Sequence, residues 1–233
     1  MKKATTLLGF IAVFVLSASA FAQGGGQGRG QGRGMMMGGG TQSRSMLLGR
    51  TDVQADLKLT DKQKSDLQAA QEAAAEEMRN RMEEMRNNGG GGGFDREAMR
   101  AEMEAFQKKQ DEKIKAIVTT EQWNRLGEIQ IQLAGPRAAL IPEVQKSLDL
   151  SGSQKNSLDA LMEKQRQANQ ELMQRMRDGE IEREQLGELR AQNDKILGEE
   201  IAKILTGEQN ELLKKMGGAP FKAEPNQGRG GGN

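Results

Sequence analysis

Apolar side chains recur every three or four residues through most of the chain between residues 60 and 216, with charged and amide side chains between them. Such spacing places one apolar stripe along an α-helix. The first predicted helix runs from Thr60 to about Met85. The second runs from about Asp95 to Val118. Their stripes are formed by Leu67, Ala70, Ala74, Met78, Met82 and Met85, and by Met99, Met103, Phe106, Ile114 and Ile117.

The same pattern returns after residue 150. A helix beginning at Ser151 is predicted to reach a turn at Asp178-Gly179, from which another helix comes back. Their stripes are Leu158, Met162, Gln165, Leu172 and Met176, and Leu186, Leu189, Asn193, Ile196, Ile201 and Ile204. Gly135-Pro136 and Gly217 end the terminal helices. The pattern predicts an all-α fold of two tandem long antiparallel helical hairpins, each with a capped terminal helix.

Four predicted helix starts share one local signature, a Thr or Ser followed three residues later by Gln. The hydroxyl can accept a hydrogen bond from the backbone N–H of the Gln, and the Gln side chain can accept one in return. This reciprocal arrangement is called a capping box. The four pairs are Thr60 with Gln63, Thr119 with Gln122, Ser151 with Gln154, and Thr206 with Gln209. We interpret them as structural groups that hold helix ends.

The first and third boxes belong to a longer repeated segment. Residues 53–67 and 144–158 share Val, Gln, Leu, Leu, Gln, Lys and Leu at equivalent positions, with Ser replacing Thr in the second copy. A match at a fixed offset indicates a tandem duplication. We therefore divide the helical part into a first repeat at 46–136 and a second at 137–216. Each copy has an apolar stripe that needs a partner surface, so we expect a monomer in which the copies pack as a pseudo-dimer.

The four boxes, arranged as two long-spaced pairs, resemble the LTxxQ family of exported bacterial proteins, which includes the periplasmic chaperones Spy and CpxP and the zinc-resistance-associated proteins. The resemblance implies an ATP-independent chaperone or envelope-stress protein that binds unfolded client segments on a helical cradle. Two alternatives remain open at this point. One is a periplasmic stress or metal sensor that binds a partner protein, and the other is a structural adaptor to anionic envelope polymers.

Residues 1–22 have the features of a secretory signal peptide. Lys2 and Lys3 precede the apolar segment 7–16, and Ala20-Phe21-Ala22 is a small-x-small cleavage site. The apolar segment is short for a membrane-spanning helix, which is the alternative. We therefore expect cleavage after Ala22 and a periplasmic protein without a transmembrane segment.

The two ends of the exported chain are rich in Gly. Residues 23–45 and 217–233 lack an apolar stripe, and we predict a disordered Gly/Arg/Met-rich arm and a disordered Gly-rich tail that are dispensable for folding. The Arg-Gly repeats in these ends resemble RNA-binding segments, but no aromatic residues for base stacking interrupt them. Because export also separates the protein from cytosolic RNA, no nucleic-acid partner is expected.

Composition argues against catalysis and against the usual metal sites. The chain contains no Cys and no His. Ser-His-Asp and Cys-His nucleophiles are therefore impossible, and no phosphate-binding loop is present. We predict no enzyme and no cofactor. Zinc lacks its usual nitrogen and sulfur ligands. A weak possibility is Cu(I) bound by the thioethers of Met35, Met36 and Met37.

The tips of the two predicted hairpins are rich in Met and Arg. Flexible thioethers and planar guanidinium groups suit a surface that accepts many partners. The alternative is that Met fills the stripe between helices and Arg pairs with Glu one turn away. The client-binding candidates are Met78, Arg79, Arg81, Met82, Met85, Arg86, Phe94, Arg96, Met99 and Arg100 at the first tip, and Met173, Arg175, Met176 and Arg177 at the second.

Overall fold

The computed structural model describes residues 41–88 and 96–224, and within these ranges it contains helices and no β-strand. The helices are α1 (Arg44–Leu47), α2 (Thr51–Asp56), α3 (Asp61–Asn88), α4 (Arg96–Ile117), α5 (Thr120–Ala134), α6 (Pro142–Ser147), α7 (Gly152–Arg177), α8 (Arg183–Ile204) and α9 (Gly207–Met216), with a 3₁₀ helix (Gly135–Leu140) between α5 and α6. The predicted all-α fold is confirmed. None of these helices is long and apolar enough to cross a membrane. The predicted signal peptide lies outside the described residues.

The long helices begin where the capping residues stand. α3 starts directly after Thr60, α5 after Thr119 and α9 after Thr206, and α5 ends at Ala134, before the Gly-Pro pair. The short helices α1, α2 and α6 were not predicted. Each has six residues or fewer, which is too short for an apolar period to become visible.

The chain divides into two compact units. One consists of Asn156–Leu197, and the larger one combines Thr41–Lys155 with the chain from Gly198 onward. In the smaller unit, Leu172, Ile181 and Leu186 form a buried cluster, against which Met173, Met176 and Leu189 pack. The turn between α7 and α8 thus has its own small core.

One apolar cluster of the larger unit draws on α1 to α5. Its buried members are Leu47, Leu48, Val53, Leu57, Leu59, Leu67, Ile114, Val118, Leu126 and Ile129. The partly buried Trp123 packs against the cluster, and its ring makes cation–π contacts with two basic side chains. The Arg44 guanidinium carbon is 4.3 Å from the ring centroid and the Lys115 Nζ is 4.8 Å from it. Such contacts stabilise by about 0.5–1 kcal/mol each at partly exposed sites.

Residues 41–45 were assigned from the sequence to a disordered arm, and this boundary is wrong. The side chain of Gln130 donates to the carbonyl of Gln42 at 2.8 Å, and that of Gln71 donates to the carbonyl of Ser45 at 2.9 Å. After the exposed Met46, Leu47 and Leu48 are completely buried, at 0 and 1% exposure. Burying a Leu side chain stabilises by about 2 kcal/mol, enough to hold the short α1 in place.

Along α4, the second helix of the first hairpin, one of the described positions departs from the predicted stripe. Phe106 and Ile117 are half-buried and Ile114 is buried, as expected, but Met103 is 41% exposed. Helical spacing sets the direction of a side chain, not whether a neighbouring side chain covers it. Conversely, Leu197 in α8 is fully buried although the stripe was placed on Ile196.

Two residues in left-handed backbone conformation precede the first and third boxes. Lys58 has φ 50° and Asp149 has φ 47°. At each, the N–H of the following Leu donates back to the preceding short helix, at 3.1 Å for Leu59 and 3.2 Å for Leu150. This hydrogen-bonded helix end usually has Gly at the left-handed position, because a Cβ is strained there.

Replacing Lys58 with Gly is therefore expected to stabilise the protein. The substitution relieves the left-handed strain, and part of this gain is lost to the greater freedom of Gly in the unfolded chain. We expect a net gain of about 0.5–1 kcal/mol in the free energy of unfolding. Urea unfolding followed by the fluorescence of the single Trp measures it.

A suitable control is Ala69→Gly, at an exposed position inside α3. There Gly should destabilise by about 1 kcal/mol. Loss of stability in both variants would show that the left-handed backbone at residue 58 imposes no strain.

Candidate functional site

The capping-box glutamines of the first half bond to each other across two helix starts. The Gln63 Nε2 donates to the Gln122 Oε1 at 2.7 Å, and the Gln122 Nε2 lies 3.2 Å from the Gln63 Oε1. Each amide oxygen also accepts the backbone N–H of its own box residue, Thr60 at 3.0 Å and Thr119 at 2.9 Å. One side chain therefore completes a helix cap and contacts a second helix.

The same amide nitrogens also bind main-chain carbonyls on the opposite segment. The Gln63 Nε2 donates to the Ile117 carbonyl at 3.1 Å, and the Gln122 Nε2 donates to the Leu57 carbonyl at 3.0 Å. These carbonyls belong to the chain just before the opposite box. We name this set of bonds the first glutamine clasp. It joins the start of α3 to the end of α4 and the start of α5 to the end of α2.

An equivalent set, the second glutamine clasp, joins the other two boxes. The Gln154 Nε2 donates to the Gln209 Oε1 at 2.6 Å and to the Ile204 carbonyl at 3.0 Å. The Gln209 Nε2 donates to the Leu148 carbonyl at 3.1 Å. Sequence reasoning treated all four glutamines as local caps and missed their pairing. The signal available in the sequence was the apolar residue before each box, which indicates that the box lies beside the core and not in solvent. These residues, Leu59, Val118, Leu150 and Leu205, are all buried.

The first hairpin tip is described only in part. Met78 is half-buried, Arg79 is exposed, and the Arg81 guanidinium lies 3.8 Å from the Glu102 carboxylate across the hairpin. The exposed Met103 follows Glu102 directly, so it lies level with the Arg81 turn of α3. Sequence reasoning did not include Met103 among the client-binding candidates. The remaining candidates have no described side chains: Met82, Met85, Arg86, Phe94, Arg96, Met99 and Arg100.

At the second hairpin tip the methionines are part of a core. Met173 and Met176 pack against the apolar cluster of the smaller unit. The Arg175 Nε lies 3.3 Å from the Glu180 carboxylate, and Arg177 is exposed. The contacts of these two methionines correspond to the packing alternative rather than to an open surface.

A metal centre is not formed by the described side chains. Within residues 41–88 and 96–224, no three acidic side chains come close enough to hold a metal ion. The weak copper candidates Met35, Met36 and Met37 lie outside these ranges.

Comparison with known protein families matches residues 48–127 to the LTXXQ motif family. Residues 48–127 form an LTXXQ motif family domain. This segment contains the first glutamine clasp and the first hairpin. The match confirms the resemblance for residues 48–127, which hold the first two of the four boxes. Proteins of this family are typically periplasmic. The chain matches no curated protein and no solved structure.

The LTXXQ domain is contacted by a segment that the sequence assigned to a disordered tail. The boundary at residue 217 is wrong, because residues 217–224, which we name the tail segment, are bound to α5 and α2. The Gln132 Nε2 donates to the carbonyls of Gly217 and Ala219, and its Oε1 accepts the Phe221 N–H at 2.8 Å. The Phe221 ring packs against the apolar cluster of the larger unit.

Charged side chains of the LTXXQ domain hold the same segment. The Arg125 guanidinium forms two bonds to the Asp56 carboxylate, at 2.7 and 3.1 Å, and a third N–H donates to the Ala219 carbonyl at 2.7 Å. The Asp52 Oδ2 accepts the backbone N–H of Glu224 at 3.0 Å. Hydrogen bonds from the Arg50 guanidinium lower the pKa of Asp52 to about 2, and the Glu224 N–H adds to this effect.

The glutamine clasp makes a prediction about stability in the LTXXQ domain. Thr60→Ala should cost about 1 kcal/mol, the usual loss for a capping side chain. Gln63→Ala should cost about 2–3 kcal/mol, because the Thr60 N–H and the Ile117 carbonyl lose these partners and the Gln122 amide loses its bond from Gln63. Urea unfolding measures both.

The matched control is Gln68→Ala, since Gln68 is exposed and bonds only to Glu72 in the next turn of α3. Its cost should stay within about 0.5 kcal/mol. Equal losses for Thr60→Ala and Gln63→Ala would mean that the cross-helix bonds add nothing to the box.

The low pKa of Asp52 makes stability depend on pH. An Asp in an unfolded chain titrates near 3.9, about two units above the folded value. Ionised Asp52 therefore stabilises the folded state fully above about pH 4, and this contribution is lost as the pH falls toward 2. In Asp52→Asn, the free energy of unfolding should decrease less steeply over this range than in the wild type. Parallel decreases would show that Asp52 is not the group responsible.

Proposed function

We propose that this protein is an ATP-independent periplasmic chaperone that binds unfolded segments of other exported proteins reversibly. The LTXXQ motif family domain at residues 48–127 supports this assignment, because the family is typically periplasmic and has general links to protein clients. The signal peptide expected at residues 1–22 agrees with it. Export places the protein where ATP is absent, so binding and release must follow from affinity alone.

The observation that carries the proposal is the exposed Met103 on the first hairpin. Large apolar side chains are usually covered, yet this one is 41% exposed. The exposed Arg79 adds a guanidinium to the same hairpin, while α3 and α4 are tied together by ion pairs such as Lys109 with Glu77 at 2.8 Å. A rigid helical pair with flexible Met and Arg side chains suits clients of varied sequence.

We place the client-binding surface on the first hairpin rather than the second. Met173 and Met176 already have apolar neighbours in their own unit, so they offer less free surface to a client. The proposed surface consists of the first-tip candidates together with Met103: Met78, Arg79, Arg81, Met82, Met85, Arg86, Phe94, Arg96, Met99, Met103 and Arg100.

We also propose that the chain arose by tandem duplication and works as a monomer. The two glutamine clasps support this, because each has a mutual amide pair and two bonds to main-chain carbonyls. In the larger unit, α9 contacts α5, so the terminal helices of the two repeats lie together. A single chain then supplies the surfaces that would otherwise require two subunits.

The proposal predicts that Met103→Gln weakens client binding. A chemically unfolded protein is diluted into buffer without nucleotide, and its aggregation is followed by light scattering at increasing chaperone concentrations. Loss of one exposed apolar contact worth about 1 kcal/mol should raise the concentration needed for half-suppression about fivefold.

Met46→Gln is the matched control, since Met46 is 48% exposed but lies in α1. It should suppress aggregation as the wild type does. Equal weakening in both variants, or none in either, would reject the first hairpin as the client surface. Absence of suppression by the wild type with several clients would reject the chaperone function.

A further inference from the structure

The tail segment is held almost entirely through its main chain. Its partners are Asp52, Arg125 and Gln132, which we name the docking face. Gln132 binds two tail carbonyls and one N–H, Arg125 binds a carbonyl, and Asp52 binds the Glu224 N–H. Every polypeptide offers these carbonyl and N–H groups, so such bonds do not depend on the sequence of the bound segment.

One side chain of the tail segment supplies the apolar contact. Phe221 is half-buried against the core cluster of the larger unit. Its neighbours Pro220 and Lys222 are exposed, as are the other described residues after Gly217. The bond from the Phe221 N–H to Gln132, 2.8 Å long, fixes the backbone where this ring enters. The docking face therefore recognises a main chain and one aromatic side chain.

The path of the tail segment depends on a glycine. Gly218 has φ 64°, a conformation that side chains disfavour. A Cβ at this position would collide with the Glu128 carboxylate. Substitution of Gly218 would thus displace the tail segment without altering the docking face.

We propose that the docking face is a binding site for extended polypeptide segments that contain an aromatic residue, and that the tail segment occupies it as an internal competitor. This inference rests on the proposed chaperone function, to which it adds a second client site and its regulation. Main-chain bonds with one aromatic anchor match the chemistry of an unfolded protein segment, whose backbone groups lack partners and whose aromatic residues are exposed. In the intact chain, a client segment competes with the tail segment for the docking face. The apparent affinity for the client is therefore proportional to the fraction of molecules in which the docking face is free.

Peptide binding to the full chain tests the proposal. The probe is a fluorescein-labelled peptide with the sequence of residues 217–224, and fluorescence anisotropy reports its binding. Phe221→Ala and Gly218→Ala weaken the internal competitor in different ways, so each should bind the peptide about tenfold more tightly than the wild type. A peptide with Ser in place of Phe should not bind.

A second substitution shows where the peptide binds. Gln132→Leu, added to Phe221→Ala, removes the three main-chain bonds that Gln132 makes in the docking face and should abolish the gain. The matched control is Gln71→Leu, which removes another bond from a Gln to a main-chain carbonyl, that of Ser45. It should leave peptide binding unchanged. Thermal unfolding followed by circular dichroism establishes that each variant is folded at the assay temperature.

Three results would overturn the proposal. One is unchanged peptide affinity in both tail variants, and another is a gain that persists with Gln132→Leu. The third is a dimer of the wild type that Phe221→Ala dissociates, which would identify the tail of a second copy as the occupant. Aggregation suppression that is weakened in Met103→Gln, with no peptide binding at the docking face, would reject this inference and leave the proposed function intact.

Discussion

A carboxamide is one of the few side-chain groups that can cap a helix and bind another segment simultaneously, because its oxygen accepts and its nitrogen donates. Gln63 and Gln122 use both ends of this group: each oxygen completes a box, and each nitrogen reaches a carbonyl near the opposite box. The long hairpin of α3 and α4 extends from this point. Its base is fixed by the clasp and by the core cluster beneath it, so the hairpin can carry exposed Met and Arg side chains without losing its orientation at the base.

The sequence predicted the elements whose signals are local and repeated. Helices α3, α4, α5, α7 and α8 are long enough to show an apolar period, and the Thr-x-x-Gln and Ser-x-x-Gln boxes mark where α3, α5 and α7 start. The pairing of Gln63 with Gln122 could not be read in the same way, because it joins residues 59 positions apart. A capping box looks identical whether or not its Gln also reaches a distant carbonyl.

The predicted boundaries of the helical body, at residues 45 and 217, were wrong for a related reason. A Gly-rich segment gains little free energy from burial, as its composition indicates. A few apolar side chains beside such a segment are nevertheless enough to order the adjoining chain. Leu47 and Leu48 bind the chain before α2 to the core, and Phe221 does the same after α9. The polar partners Gln130 and Gln132 both lie on α5. Candidate surfaces were harder still, since exposure of Met103 and burial of Met173 depend on neighbours that spacing does not reveal.

The larger unit is discontinuous in the chain, and this determines when it can be completed. Its parts are Thr41–Lys155 and the chain from Gly198 onward. Synthesis delivers a polypeptide from its N-terminal end, so Gln209 and Phe221 emerge after Gln154 and Gln132, the residues that they contact. The hydrogen bond between Asp52 and the Glu224 N–H cannot form until Glu224 has been made, 172 positions after Asp52. Closing so long a loop is slow compared with forming helices. The order of synthesis therefore keeps the larger unit incomplete until residue 224 has been made, and until then its N-terminal part lacks the contacts that α9 and the tail segment supply.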